Sequence, residues 1–104
     1  MRRKGELSAA GIDSGWPFQV AVADPQDDRE RARLADAIHV FCKDRALSKC
    51  DRGHSVLAHD RWYRVHCFAD PEHAAMFMQR FGGEAFNPAD RGKGRAWAKW
   101  NRKA

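Results

Sequence analysis

The sequence predicts an α+β domain with the ferredoxin-like split β-α-β arrangement, in which two helices cover one face of an antiparallel sheet. Three observations favour this fold class. Two strand patterns each lead into a helical pattern through an Asp-Pro pair, Asp24-Pro25 and Asp70-Pro71. A hairpin pattern lies between these two units, and a short apolar stretch follows the second. The expected element order is β-α-β-β-α-β, with right-handed crossovers that place both helices on the same face.

The chain has 104 residues, which is the size of a single domain. Composition divides it into a flexible N-terminal arm at 1–15, a compact α+β domain at 16–86 and a basic, tryptophan-containing C-terminal tail at 87–104. The arm is rich in Gly, Ser and Ala with scattered charges. Because it offers too little apolar surface to offset the entropy of ordering, we expect it to be flexible.

The first unit begins with a strand predicted at 16–22, where large side chains occupy every second position from Trp16 to Val22. We expect Asp24 to cap the first helix and Pro25 to be its first residue. The helix is expected to end between residues 45 and 48. Its apolar stripe has the spacing of one helix face and comprises Leu34, Ile38, Phe41 and Cys42.

The second unit begins with a hairpin of two strands, predicted at 54–58 and 61–68, joined by a turn at His59-Asp60. Asp70 is the expected cap of the second helix, and Gly82 is its expected stop. A short last strand is predicted at 84–86. The core stripe of the second helix comprises Ala74, Phe77, Met78 and Phe81.

The strand at 61–68 carries large side chains on both faces. We expect Tyr63, Val65 and Cys67 to face the core under the helices. Trp62, Arg64 and His66 are then expected on the opposite, open sheet face, beside Gln19 and Ala21. Aromatic and basic groups on such a face can stack on bases of RNA. The alternatives are a dimer interface or packing against the tail.

The cysteines and histidines do not follow the spacing of a structural zinc site. The three cysteines include no C-x-x-C pair, and Cys50 with His54 is the one plausible local pair of ligands. Gly82-Gly83 follows a helix, so it does not form a phosphate-binding loop. A Cys-His dyad can be composed from Cys50 and His54, or from Cys67 and a neighbouring histidine, but nothing else supports it. The sequence therefore predicts no metal, no cofactor and no catalytic residues, and it favours a non-enzymatic protein.

The net charge of +5 is concentrated in the tail, since residues 87–104 hold six basic side chains and one acidic side chain. Cations neutralise phosphates and indole rings stack on bases, which is the chemistry of single-strand nucleic acid binding. The alternative is that the tryptophans fold back onto the domain. The predicted nucleic-acid-binding residues are Arg91, Lys93, Arg95, Trp97, Lys99, Trp100, Arg102 and Lys103.

These patterns predict a small, non-enzymatic, nucleic-acid-associated protein that binds mainly through its tail. The alternative is a homodimeric regulatory or small-ligand-binding module that pairs through its open sheet face. No apolar run has the length of a membrane helix or a secretory signal, so we expect no membrane partner. The odd number of cysteines indicates free thiols and a cytoplasmic location.

Overall fold

The computed structural model of this protein describes residues 9–92 and 99–101. These residues form an α+β fold with one four-stranded antiparallel sheet in the order β2-β3-β1-β4. No helix within them is long and apolar enough to cross a membrane. The elements are α1 (Ala9–Gly15), β1 (Phe18–Ala23), α2 (Asp28–Asp44), β2 (His54–Ala58), β3 (Arg61–Phe68), α3 (Pro71–Phe81) and β4 (Glu84–Phe86), followed by a 3₁₀ turn at Pro88–Asp90.

The hairpin of β2 and β3 has the predicted boundaries and the predicted turn. His59 and Asp60 have φ angles of 51° and 61°, which places both turn residues in the left-handed region. A two-residue hairpin turn requires this conformation because it matches the right-handed twist of the strands. The local sequence pattern therefore predicted this hairpin correctly.

The helix α3 also begins and ends as predicted. The Asp70 carboxylate accepts a hydrogen bond of 2.8 Å from the backbone N–H of Glu72, and Pro71 is the first helical residue. Gly82, with φ of 76°, ends the helix. Phe77 is fully buried and packs on Phe68 with 5.2 Å between the ring centroids. This helix closes its part of the sheet with a dense aromatic contact.

The start of α2 corrects one prediction, because its N-cap is Asp27 instead of Asp24. The Asp27 carboxylate accepts a hydrogen bond of 3.0 Å from the backbone N–H of Glu30. The backbone N–H of Asp24 instead donates to the carbonyl of Trp62 at 2.9 Å. Asp24 therefore stays with the strands, and the two Asp-Pro pairs are not equivalent in structure.

The register of β1 and β3 corrects a second prediction. Val20 lies opposite His66 and Val22 lies opposite Arg64, and directly opposed residues of an antiparallel pair share a sheet face. Trp62 alternates in phase with Arg64 and His66, so these three lie on the helix side of β3. The His66 ring packs against Phe77 of α3, with 5.0 Å between ring centroids. The prediction that they lie on an open sheet face was wrong.

The opposite face of the sheet is covered rather than open. It carries Tyr63, Val65 and Cys67, and it forms a second apolar cluster with Ile12 of α1 and with Trp100. Trp100 is only 4% exposed, and its ring centroid lies 5.1 Å from that of Tyr63. Residues 9–15 are helical, which corrects the prediction of a flexible arm for that part. The described parts of both termini therefore belong to the folded domain.

A polar contact ties the two termini together over this covered face. Asp13 of α1 accepts a hydrogen bond of 2.9 Å from the Gln19 side chain and pairs with Arg91 at 2.6 Å. The Arg91 guanidinium also lies 3.2 Å from Nε2 of His54 in β2. A single arginine thus joins α1, β2 and the segment after β4. This face of the sheet is closed, and the open space lies on the helix side.

Candidate ligand-binding cleft

A cavity of about 620 Å³ lies on the helix side, between α2 and β3. One face of α2 forms a wall, and the end of β1, the strand β3 and the loop from Leu47 to Gly53 form the others. The helix α3 packs closely on the sheet through Phe77, whereas α2 leaves a space beside the outer part of β3. We call this space the α2 cleft.

The middle of the α2 cleft is apolar. Leu34, Ala35 and Ile38 point into it from α2, and Val22 lines it from β1. Ile38 is buried, but Leu34 is only partly covered. The apolar stripe that the sequence predicts as helix core therefore has a second use, because part of it lines a cavity.

Charged side chains surround this apolar middle, with more cations than carboxylates. The cleft is lined by Arg31, Lys43, Lys49 and Arg64 and by two carboxylates, Asp24 and Asp51. Arg31 already pairs with Asp28 at 2.7 Å. Within the described part of the chain, Lys49 and Arg64 take part in no ion pair. The cleft therefore has positive charge available for a ligand.

His66 forms part of the cleft wall beside these cations. Its side chain is 7% exposed, and its Nδ1 forms no hydrogen bond with any described residue. Burial, together with the charges of Lys49 and Arg64, lowers the pKa of His66 to about 3. The imidazole is therefore neutral at physiological pH.

Gly53 allows the loop to approach β3 closely enough to form this wall. A Cβ atom at Gly53 would lie 2.7 Å from the carbonyl oxygen of Val65 and 3.5 Å from Nε of Arg64. Lys49 is positioned by an antiparallel bridge to Phe68 at the end of β3. Backbone contacts thus place Lys49 and Arg64 on either side of His66.

Burial raises the pKa of two of the three cysteine thiols, Cys42 and Cys67. Cys42, Cys50 and Cys67 are all free and buried, and the first two line the cleft. Burial raises the pKa of Cys42, and burial followed by the nearby Cys50 raises the pKa of Cys67 to about 12. Because the thiolate is the nucleophilic form, Cys42 and Cys67 are suited to packing more than to catalysis.

Cys50 and His54 are the one plausible pair of metal ligands in the sequence. Their surroundings are not those of a metal site. Nε2 of His54 faces the Arg91 guanidinium at 3.2 Å. Burial and the Arg91 charge lower the pKa of His54 to about 4. Among the described residues, no three His, Cys, Asp or Glu side chains are grouped so that they would hold a metal ion.

A Ser-His-Asp contact, which the sequence analysis did not detect, joins the loop to the start of α3. The Ser48 hydroxyl lies 2.8 Å from Nδ1 of His73, whose Nε2 lies 3.7 Å from the Asp70 carboxylate. The Ser48 oxygen also accepts hydrogen bonds from two backbone N–H groups, those of Ala69 and Asp70. Because these bonds occupy its lone pairs, we interpret Ser48 as a structural tie and not as a nucleophile.

The structure gives the predicted tail residues different environments. Arg91 and Trp100 are engaged with the covered sheet face, while Lys99 is exposed and forms a bridge with Leu57. Trp100 would have to leave the core before it could stack on a base. The remaining predicted residues, Lys93, Arg95, Trp97, Arg102 and Lys103, lie outside the described residues.

The sequence predicted Arg64 and His66 as site residues but placed them on the wrong sheet face. It did not indicate Lys49 or the wall that α2 forms. The sequence pattern that could have indicated this cleft is a strand with two polar side chains at alternate positions, beside a helix that carries cations. Comparison with protein-family models, with curated proteins and with solved structures found no match for this chain.

Proposed function

We propose that this chain is a small-ligand-binding protein and that the α2 cleft binds a small organic anion. One observation carries the proposal: Lys49 and Arg64, which take part in no ion pair among the described residues, line a cavity of about 620 Å³ together with the buried, neutral His66. Ligand pockets typically have volumes of roughly 300–1,000 Å³ and a few convergent polar groups in an apolar lining.

The charges of the cleft support the same proposal. Lys49 and Arg64 make a negatively charged ligand favourable at this position. A ligand carboxylate beside Lys49 and Arg64 would supply that charge.

The finer fold assignment is part of this proposal. We infer that the domain is of the ferredoxin-like class, with α1 and the C-terminal segment as additions on the second sheet face. The element order from β1 to β4 and the antiparallel pairing of β1 with both β3 and β4 support this inference. Homodimer formation through the second face is not supported, because Ile12 and Trp100 cover that face.

Amide NMR spectra of the ¹⁵N-labelled protein, titrated with benzoate and with benzamide, test the proposal. Benzoate should shift the amide signals of Lys49, Arg64 and His66, and neutral benzamide should bind far more weakly. Arg64→Gln should weaken benzoate binding by about 10–100-fold, which is the worth of a hydrogen bond to a charged group. Arg61→Gln, an exposed arginine of the same strand that does not line the cleft, is the matched control. Equal binding of the two compounds, or no loss in Arg64→Gln, would contradict the proposal.

Nucleic acid binding by the tail is the second candidate function. It is favoured by the six basic side chains of residues 87–104 and by the exposure of Lys99. The test must keep Trp100 because this residue is part of the core. Replacing Lys93, Arg95 and Lys99 together by glutamine should reduce the slope of log affinity against log salt by about 2, at roughly 0.7 per lost contact to a single strand. An intact protein without salt-sensitive oligonucleotide binding would exclude this candidate.

A further inference from the structure

Resting on the proposed function, we infer that the ligand of the α2 cleft is a monocarboxylate with an extended apolar body. The carboxylate lies between Lys49, His66 and Arg64, and the body lies along α2 against Leu34 and Ile38. The inference is carried by the charge balance of the cleft, by the order of residues along its wall and by the donors at one end.

The charge balance favours one negative charge on the ligand. Of the four lining cations, Arg31 is already paired with Asp28 outside the cleft. Three cations and the two carboxylates of Asp24 and Asp51 remain, so the lining has a surplus of one positive charge. A monoanion neutralises this surplus, whereas a dianion such as a phosphate monoester would leave one uncompensated negative charge.

The order of residues along α2 favours a long ligand. The lining residues of the helix extend from Arg31 to Lys43, and twelve residue steps of α-helix measure roughly 18 Å. Leu34, Ala35 and Ile38 occupy the middle of this length, opposite Val22. A ligand that fills the middle must therefore present apolar surface over more than one turn of the helix.

The anionic end lies toward the C-terminal half of α2. Lys49 is bridged to Phe68 at the end of β3, and its charge lowers the pKa of Cys42, which burial raises. Lys49 is thus close to the part of the helix beyond Ile38. Arg64 and Lys49 line the cleft and can donate hydrogen bonds to a carboxylate, and His66 lies between Arg64 and the Phe68 position that Lys49 bridges.

Calorimetric titration with butanoate, hexanoate, octanoate and octanamide tests this inference. Each added CH₂ group should tighten binding by about fourfold, since burying a CH₂ group contributes about 0.8 kcal/mol. Octanamide, which matches octanoate in length but has no charge, should bind about 10–100-fold more weakly.

Two variants separate the ends of the ligand. Leu34→Asn should weaken octanoate more than butanoate, because only the longer chain reaches the apolar middle. Arg64→Gln should weaken both by the same factor, and Arg61→Gln should weaken neither. Leu34 is only partly buried, so its replacement leaves the fully buried core intact.

The outcomes distinguish this inference from the proposed function. If benzoate binds in an Arg64-dependent manner but the carboxylate series shows no dependence on chain length, the extended body is wrong and the proposed function stands. If octanamide binds as tightly as octanoate, the anionic end is wrong. If no anion binds in the cleft, both are wrong.

Discussion

The two faces of the sheet are closed in different ways. On the helix side, Phe77 of α3 packs directly on Phe68 and His66, while α2 leaves a cavity of about 620 Å³ beside β3. On the other side, short pieces of both termini cover the sheet through Ile12 and Trp100.

The difference lies in the side chains that β3 presents to each face. Tyr63, Val65 and Cys67 are compatible with a closed apolar layer, and the Asp13–Arg91 ion pair lies at its edge. Arg64 on the helix side is charged and cannot be covered by apolar side chains without a cost in desolvation. An open cleft and a closed layer therefore arise from alternate residues of one strand.

The largest expected effect concerns the tightly packed part of the helix side. Phe77→Ala should lower the free energy of unfolding by roughly 3–5 kcal/mol, because it leaves a cavity among aromatic rings. Urea denaturation measures the loss. Met76→Ala, on the exposed side of the same helix, should change stability by less than about 0.5 kcal/mol. Similar losses in both variants would mean that α3 does not pack as described.

The next effect tests whether the terminal segments belong to the cooperative fold. Trp100→Ala should cost about 3 kcal/mol, because the ring is buried between Tyr63 and Phe86. Trp62→Ala is the control, since Trp62 is 48% exposed and should cost little. If Trp100→Ala unfolds at the same urea concentration as the parent, the second face is not closed by the tail.

A smaller effect is expected from pH. The pKa of His66 falls to about 3 in the folded chain, below its ordinary value of 6.5, so between these values the unfolded state binds the proton and the folded state does not. Stability should therefore rise with pH across this window and fall on acidification. The lowered pKa of His54, about 4, acts in the same direction.

Urea denaturation at pH 4.5, 5.5 and 7 measures the pH effect. His66→Gln should flatten the dependence, whereas His59→Asn in the exposed turn should leave it as in the parent. Stability that increases on acidification would contradict the buried, neutral state of His66.

The smallest effect distinguishes the two aspartates before α2. Asp27→Ala should cost about 1 kcal/mol, because the backbone N–H of Glu30 loses its acceptor. Asp24→Ala should leave the stability of the helix unchanged, because its side chain is not the cap. Thermal melting followed by circular dichroism compares the two, and the reverse order would restore the predicted equivalence of Asp24 and Asp70.

The elements that the sequence predicted correctly are those whose signals are local. The hairpin turn at His59-Asp60 and the Asp70-Pro71 start of α3 each depend on residues within one turn of each other. The start of α2 was missed because both Asp24 and Asp27 precede a helical pattern, and a backbone bond from Asp24 to Trp62 decides between them.

The orientation of β3 and the cover of the second face depend on contacts that are distant in sequence. Alternation along β3 was predicted correctly, but both sets of side chains include large groups. The pairing of Val20 with His66 and the contact of His66 with Phe77 show which set faces the helices. Burial of Trp100 on Tyr63 joins residues far apart in the chain. The role of Arg64 and His66 as site residues stays a prediction, and the cleft that they line depends on the packing of α2.

The most direct test of the central claim is the ¹⁵N NMR signal of the His66 side chain during titration with benzoate at pH 7. Saturating benzoate should shift the ring nitrogen signals of this neutral imidazole, because a carboxylate is then bound beside it. The same shift should require far more benzoate in Arg64→Gln and the parental amount in Arg61→Gln. Ring nitrogen signals that do not move at saturation, or that move equally in Arg64→Gln, would contradict anion binding in the α2 cleft.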